Sequence, residues 1–152
     1  MKKKLSLLLA LLMLTSIAAL AACSKVEPIT VKVVINVAEE DDRGRREVNE
    51  TILETDFAYE SSTPTLNDLL VKLRDAGKIN LVTEADGDNV IITGINDLVP
   101  KTDETETTME DYDWYVYIND GDAEDNSLSS TKAIAANDTV TITYMHYSIA
   151  KE

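Results

Sequence analysis

The sequence predicts an α+β domain, a mixed sheet with one amphipathic helix packed on one face. Three observations carry that expectation. Apolar and polar residues alternate from Ile29 to Val37 and again from Thr139 to Tyr147, the period of strands with one buried side. One segment repeats its leucines at helical spacing, behind a threonine that can cap it. Turn residues and charge runs cut the remaining apolar stretches to strand length.

In the first strand Ile29, Val31, Val33, Ile35 and Val37 share one side. The next segment, Ala38 to Asn49, holds Glu39, Glu40, Asp41, Asp42, Arg43, Arg45, Arg46 and Glu47 and is expected to be a solvated loop. A second strand spans about Thr51 to Tyr59, with Leu53, Phe57 and Tyr59 on a common face. Thr65 then opens a helix carrying Leu66, Leu69, Leu70 and Leu73, with Asp68 three residues after the cap and Gly77 able to end it.

Ile79 to Val82 and Val90 to Ile92 flank Asp86-Gly87-Asp88-Asn89, which reads as the turn of a hairpin. The acidic, threonine-rich stretch from Lys101 to Asp111 is expected to be a loop. Two strands close the domain. In one, Trp114, Val116 and Ile118 alternate with Tyr115, Tyr117 and Asn119; in the other, Val140, Ile142, Tyr144 and His146 alternate with Thr141, Thr143, Met145 and Tyr147. This order of elements fits a β-grasp-like sheet with the helix on one face.

The first residues have a different task. Lys2 to Lys4 precede a leucine- and alanine-rich run, and Leu20-Ala21-Ala22-Cys23 follows. A basic head, an apolar middle and small residues at a cleavage point make an export signal. The run is shorter than the ~20 apolar residues that span a bilayer. Leu-Ala-Ala-Cys resembles the bacterial lipobox, which implies lipidation of Cys23 and cleavage before it. The expected division is therefore a signal peptide at 1–22, a lipid-anchored linker at 23–28 and one domain at 29–150.

Cys23 is the only cysteine, so the domain must hold together without a disulfide. The whole chain carries a formal charge of −14. Removal of residues 1–22, with three lysines and no carboxylate, leaves 11 Lys and Arg against 28 Asp and Glu, or −17. That charge repels phosphate backbones and anionic headgroups. It excludes nucleic acid as a partner and leaves membrane attachment to the lipid, on the extracytoplasmic face of the cell membrane.

From about Ile29 to Tyr147 the chain resembles the transcobalamin-like C-terminal domain, found in cobalamin carriers and in bacterial surface lipoproteins. The resemblance rests on Thr65-Leu66-Asn67-Asp68-Leu69-Leu70, Gly94-Ile95-Asn96, Trp114 to Asn119, and Asn137-Asp138-Thr139-Val140 leading to Tyr144. Asp120 intervenes before Gly121, and Asn137 stands where the family has glycine; asparagine also accepts a left-handed backbone. In the carriers this domain closes over a corrinoid against a separate helical barrel, and no such barrel is encoded here. The resemblance implies cobalamin as a candidate ligand, with no resident cofactor.

Tyr115, Tyr117, Met145 and Tyr147 are expected on the sheet face opposite Trp114, Val116, Ile118, Val140, Ile142 and Tyr144. Tyrosines supply flat apolar area and hydroxyl groups, which suits a planar ligand or a protein partner. The same residues also serve as cross-strand packing in exposed sheets. Together with the loops, the candidate contact set is Gly94, Ile95, Asn96, Tyr115, Tyr117, Asn119, Gly121 and Tyr147.

Trp114 alternates with Val116 and Ile118 and is expected in the core. His146 has no second histidine or cysteine at ligand spacing, which argues against zinc. The acidic runs 39–42, 103–106 and 120–125 lack the spacing of a calcium loop. No nucleophile elbow, phosphate-cradling loop or metalloprotease helix is present in the sequence. The expected function is non-enzymatic: a lipid-anchored module presenting a small ligand to an integral membrane transporter. The alternative is a cell-surface adhesion or protein-interaction scaffold.

Overall fold

The computed structural model describes residues 26–41, 43–87, 89–122, 127–129 and 132–151. The segment expected to be a signal peptide, 1–22, and Cys23 lie outside them, as do parts of two acidic runs. The described residues form an α+β unit with eight strands and one helix: β1 (Ile29–Glu40), β2 (Arg46–Tyr59), α1 (Leu66–Asp75), β3 (Leu81–Asp86), β4 (Asn89–Ile95), β5 (Lys101–Glu104), β6 (Thr108–Ile118), β7 (Ser127–Ser129) and β8 (Thr139–Ala150).

The larger sheet has the order β2-β1-β8-β6-β5 and is mixed. β1 and β8 pair in parallel through Val33↔Val140 and Ile35↔Ile142, while the other neighbours are antiparallel. A three-stranded sheet, β3-β4-β7, is hydrogen-bonded separately from it. One face of the large sheet contributes Val31, Val33, Ile35, Trp114, Val116, Val140 and Ile142 to the core. Leu66, Leu69, Leu70 and Leu73 of the helix meet them there, together with Ile79, Leu81, Ile92 and Ile95. Burial of this continuous apolar surface, at roughly 25 cal/mol per Å², is the main source of stability.

The helix begins where the sequence places it. The Thr65 hydroxyl accepts the Asp68 amide at 3.2 Å, and the amides of Gly77 and Lys78 bond back to the carbonyls of Arg74 and Leu73. Those two bonds form a Schellman ending, with Gly77 in the left-handed region at φ 66°.

Two expected loops are shorter than the sequence predicts. The charged segment from Ala38 to Asn49 is mostly strand: β1 runs to Glu40 and β2 starts at Arg46. The turn closes around Asp41, whose carboxylate accepts the amides of Arg43 and Arg45 and the Arg45 guanidinium. Likewise, the stretch from Lys101 to Asp111 folds as the β5–β6 hairpin, with Thr105 hydrogen-bonded to Thr108 across its turn. The paired backbone satisfies its own polar groups, so the charged side chains project from strands into water.

Candidate functional site

Strand register sorts the side chains of β6 and β8 into two sets. Trp114 faces Tyr144 and Val116 faces Ile142 on the core side. Tyr115 faces Thr143 and Tyr117 faces Thr141 on the outer side, where Met145 and Tyr147 also lie by alternation. Asn36 and Ala38 of β1 join the outer set through their pairing with Thr143 and Met145.

Among the described residues no helix covers this outer face, yet its floor is dry. Ala38 and Thr143 have no exposed surface, Met145 is 3% exposed and Asn36 4%. Part of the cover is Arg46 of β2. The β1–β2 ladder shifts register between Ile35 and Asn36 and again between Val37 and Ala38, and such irregularities increase strand twist. Register alone would put Arg46 beside Glu40, with Tyr117, level with Val34 through Thr141, about six residues, on the order of 20 Å, further along the sheet. The Arg46 guanidinium nevertheless lies 4.3 Å from the Tyr117 ring centroid and 3.5 Å from the Thr143 hydroxyl. The ribbon therefore folds over the face and turns it into a trough.

Tyrosines line the trough. Tyr115 and Tyr147 meet edge to face, 5.6 Å between centroids. Burial holds the Tyr147 hydroxyl well above the usual tyrosine range, and the neighbouring Tyr115 adds to the effect. The Asn36 side-chain carbonyl is buried on the floor and has no donor among the described residues. At the Tyr147 end the trough opens into a cleft of about 480 Å³ lined by Glu40, Asp41, Tyr147, Ser148 and Ile149.

The other residues of the candidate contact set lie elsewhere. Ile95 has no exposed surface and belongs to the core. Gly94 adjoins the Leu98 carbonyl and Val99. Asn96, at φ 54°, uses its side-chain oxygen to accept the Asn80 amide at 3.0 Å. Asn119 spends its amide on the final turn: Nδ2 donates to Asp138 at 2.7 Å and Oδ1 accepts the Thr139 amide at 2.8 Å. Gly121 closes the turn after β6 on the Ile118 carbonyl. Asn119 thus sits at the Thr139 end of β8, about eight residues or ~26 Å from Tyr147. Of the eight residues, Tyr115, Tyr117 and Tyr147 share one surface.

Arg46, Glu40 and Asp41 escape a sequence reading because they sit in a charged run whose composition predicts a solvated loop. The signal was a strand period continuing through it, in which Arg46 and Val48 fall on the same side as Asn36 and Ala38.

Past the helix, the core face continues as an aromatic ladder. Trp114 packs on Tyr144 at 5.0 Å, Tyr144 on Tyr112 at 5.9 Å, and Tyr112 stacks on His146 at 4.4 Å. Lys101 lies over Tyr112. The Glu110 carboxylate bonds His146 Nε2 and accepts from the Ser148 hydroxyl. These contacts, His146 first, hold it below the usual glutamate range. Glu39 is 4.0 Å from the other ring nitrogen. Among the described residues no group of three or more His, Cys, Asp or Glu side chains is arranged to hold a metal ion.

No family model and no curated protein matches the chain. Among solved structures, the chain is similar to a candidate metal-binding protein from Ruminococcus gnavus, with 13% identity, a TM-score of 0.38, and coverage of 83% of this chain and 99% of that one. A likeness at that level leaves fold and function to be argued from this chain's own residues. Among the described residues no helix is long and apolar enough to cross a membrane.

Proposed function

We propose that this chain is a non-enzymatic, lipid-anchored binding module of the extracytoplasmic membrane face, and that its tyrosine trough holds a small ligand for an integral membrane transporter. One observation carries the reading: the outer face of the sheet, which no helix covers among the described residues, has a buried floor, is lined by three tyrosines and is crossed by Arg46. Concave surfaces with aromatic walls and a few polar groups are where small ligands bind. We also read the large sheet as β-grasp-like. The support is its central parallel pair, β1 and β8, flanked by antiparallel neighbours, with the helix on one face.

The resemblance to transcobalamin-like domains makes a corrinoid the first ligand to test. Full-length lipoprotein in a non-ionic detergent is titrated with cobalamin and cobinamide while tyrosine ring resonances are followed by NMR. Saturable shifts at Tyr115, Tyr117 and Tyr147 are expected. Trp114 fluorescence is a poor substitute, because the indole has no exposed surface. Shifts confined to other surfaces would remove the trough as the site.

A scaffold that binds another protein has one specific feature in its favour. β2 is a 14-residue edge strand, and such an edge offers unpaired backbone groups for strand addition. Binding of that kind perturbs the β2 amides and leaves the tyrosine rings unmoved.

A further inference from the structure

The cleft at the Tyr147 end of the trough has a chemistry of its own. Its two carboxylates are not equivalent. Asp41 is held by two backbone amides and by the Arg45 guanidinium at 2.8 and 2.6 Å, so its charge is matched within the turn. Glu40 has no ion-pair partner among the described residues. Beside Glu40 stand a tyrosine ring and Ile149, an exposed apolar side chain (49%). The opening therefore combines one uncompensated negative charge, one aromatic wall and one aliphatic wall.

Elsewhere on this sheet the same pairing of cation and ring is already made from within. Arg46 covers Tyr117 at 4.3 Å and Lys101 covers Tyr112 at 4.4 Å. A cation over a tyrosine face is favoured by the ring quadrupole, and more so beside a carboxylate. Net charge acts in the same direction: a surface near −17 draws cations in and repels anions. The volume, about 480 Å³, lies in the range of small-molecule sites.

We propose that the cleft binds an organic cation, an amidinium, guanidinium or ammonium group on a compact apolar body. The charge rests on the Glu40 carboxylate and the body lies against Tyr147 and Ile149. This inference rests on the tyrosine face being a ligand surface, and it narrows the ligand class there.

Three probes with the same ring and different charge test it: benzamidinium, benzamide and benzoate, each titrated into the full-length lipoprotein in non-ionic detergent. Resonances of Tyr147 and Ile149 report the cleft, and those of Tyr115 and Tyr117 report the trough. Benzamidinium is expected to saturate the cleft signals with a Kd about tenfold below that of benzamide, with benzoate weaker still. Glu40→Gln, at an exposed position, should erase that preference while leaving the amide spectrum native. Tyr147→Leu should weaken benzamidinium as well. Equal binding of benzamidinium and benzamide, a preference that survives Glu40→Gln, or cleft signals that no probe moves would each overturn the proposal. If all three probes bind alike and move the tyrosines, the cation class falls and the ligand surface stands. If no probe and no corrinoid moves any tyrosine, the broader reading falls too.

Discussion

Asn119 holds the end of β6 to the start of β8 through both ends of its side-chain amide, in a left-handed conformation, φ 53°, that few residues adopt without strain. Asn119→Ala removes two hydrogen bonds and keeps the strain, so a loss of about 1–3 kcal/mol is expected in urea unfolding. A loss under a few tenths would mean that the turn is held elsewhere. Tyr59 is the opposite case. Its hydroxyl is buried with no partner among the described residues, and burial, followed by the nearby Asp68 charge, pushes its pKa up to about 12. A raised tyrosine pKa favours the folded state below pH 10, and that contribution is lost as pH rises from 10 towards 12, because the unfolded chain ionises first. Tyr59→Phe should therefore keep or slightly raise stability at pH 7 and reduce the loss between pH 10 and 12. Tyr144 and Tyr147, also raised, and Lys32 and Lys101, raised by their carboxylate partners, contribute to what remains. An unchanged alkaline profile would place the sensitivity in those other groups.

The helix is the element on which both layers depend, since its four leucines contact the large sheet and the three-stranded sheet in one core. Leu70→Ala is expected to cost 2–5 kcal/mol by cavity formation, and Thr65→Ala about 1 kcal/mol by loss of the cap. Chemical denaturation of both variants checks the order, and a larger cost for the cap would mean that the helix end, not its apolar face, holds the layers together. This element was legible because its period, cap and terminating glycine all agree. The charged ends of β1 and β2 were not, because a run such as Glu39 to Glu47 scores as solvated loop when read locally. What makes it strand is pairing across the turn, Glu39↔Glu47 and Glu40↔Arg46, a tertiary effect that overrides local preference. The β5–β6 hairpin was hidden in the same way, although its threonines, among them Thr102 bonded to Asp111 at 2.7 Å, carry strand propensity. The division of tyrosines from core residues followed from alternation alone. The bend that brings Arg46 across them did not, since register irregularities leave no mark in the hydrophobic pattern.

At the scale of the molecule, two features act together, a charge near −17 after removal of residues 1–22 and attachment proposed through Cys23. A domain so acidic gains nothing from anionic headgroups, and within a Debye length of about 8 Å it is repelled by them. If the lipid on Cys23 does all the holding, Cys23→Ser should abolish membrane association at every ionic strength. Export by the conventional route would leave a released, folded protein, because among the described residues every buried apolar side chain lies between Val31 and Met145. Sedimentation with phosphatidylglycerol vesicles at low and high salt measures this directly. Binding that survives the substitution and weakens with salt would reveal an electrostatic contact that the net charge hides. Binding that survives and ignores salt would mean that the apolar segment at the start of the chain remains in the bilayer. The proposed anchor would also set geometry. Residues 23–28 reach at most about 20 Å, and the strand they lead into, β1, ends about 36 Å further on at Glu40, beside the cleft. If Cys23 carries the lipid as proposed, so short a tether would keep the Ile29 end of the sheet near the membrane and leave the cleft end facing away from it.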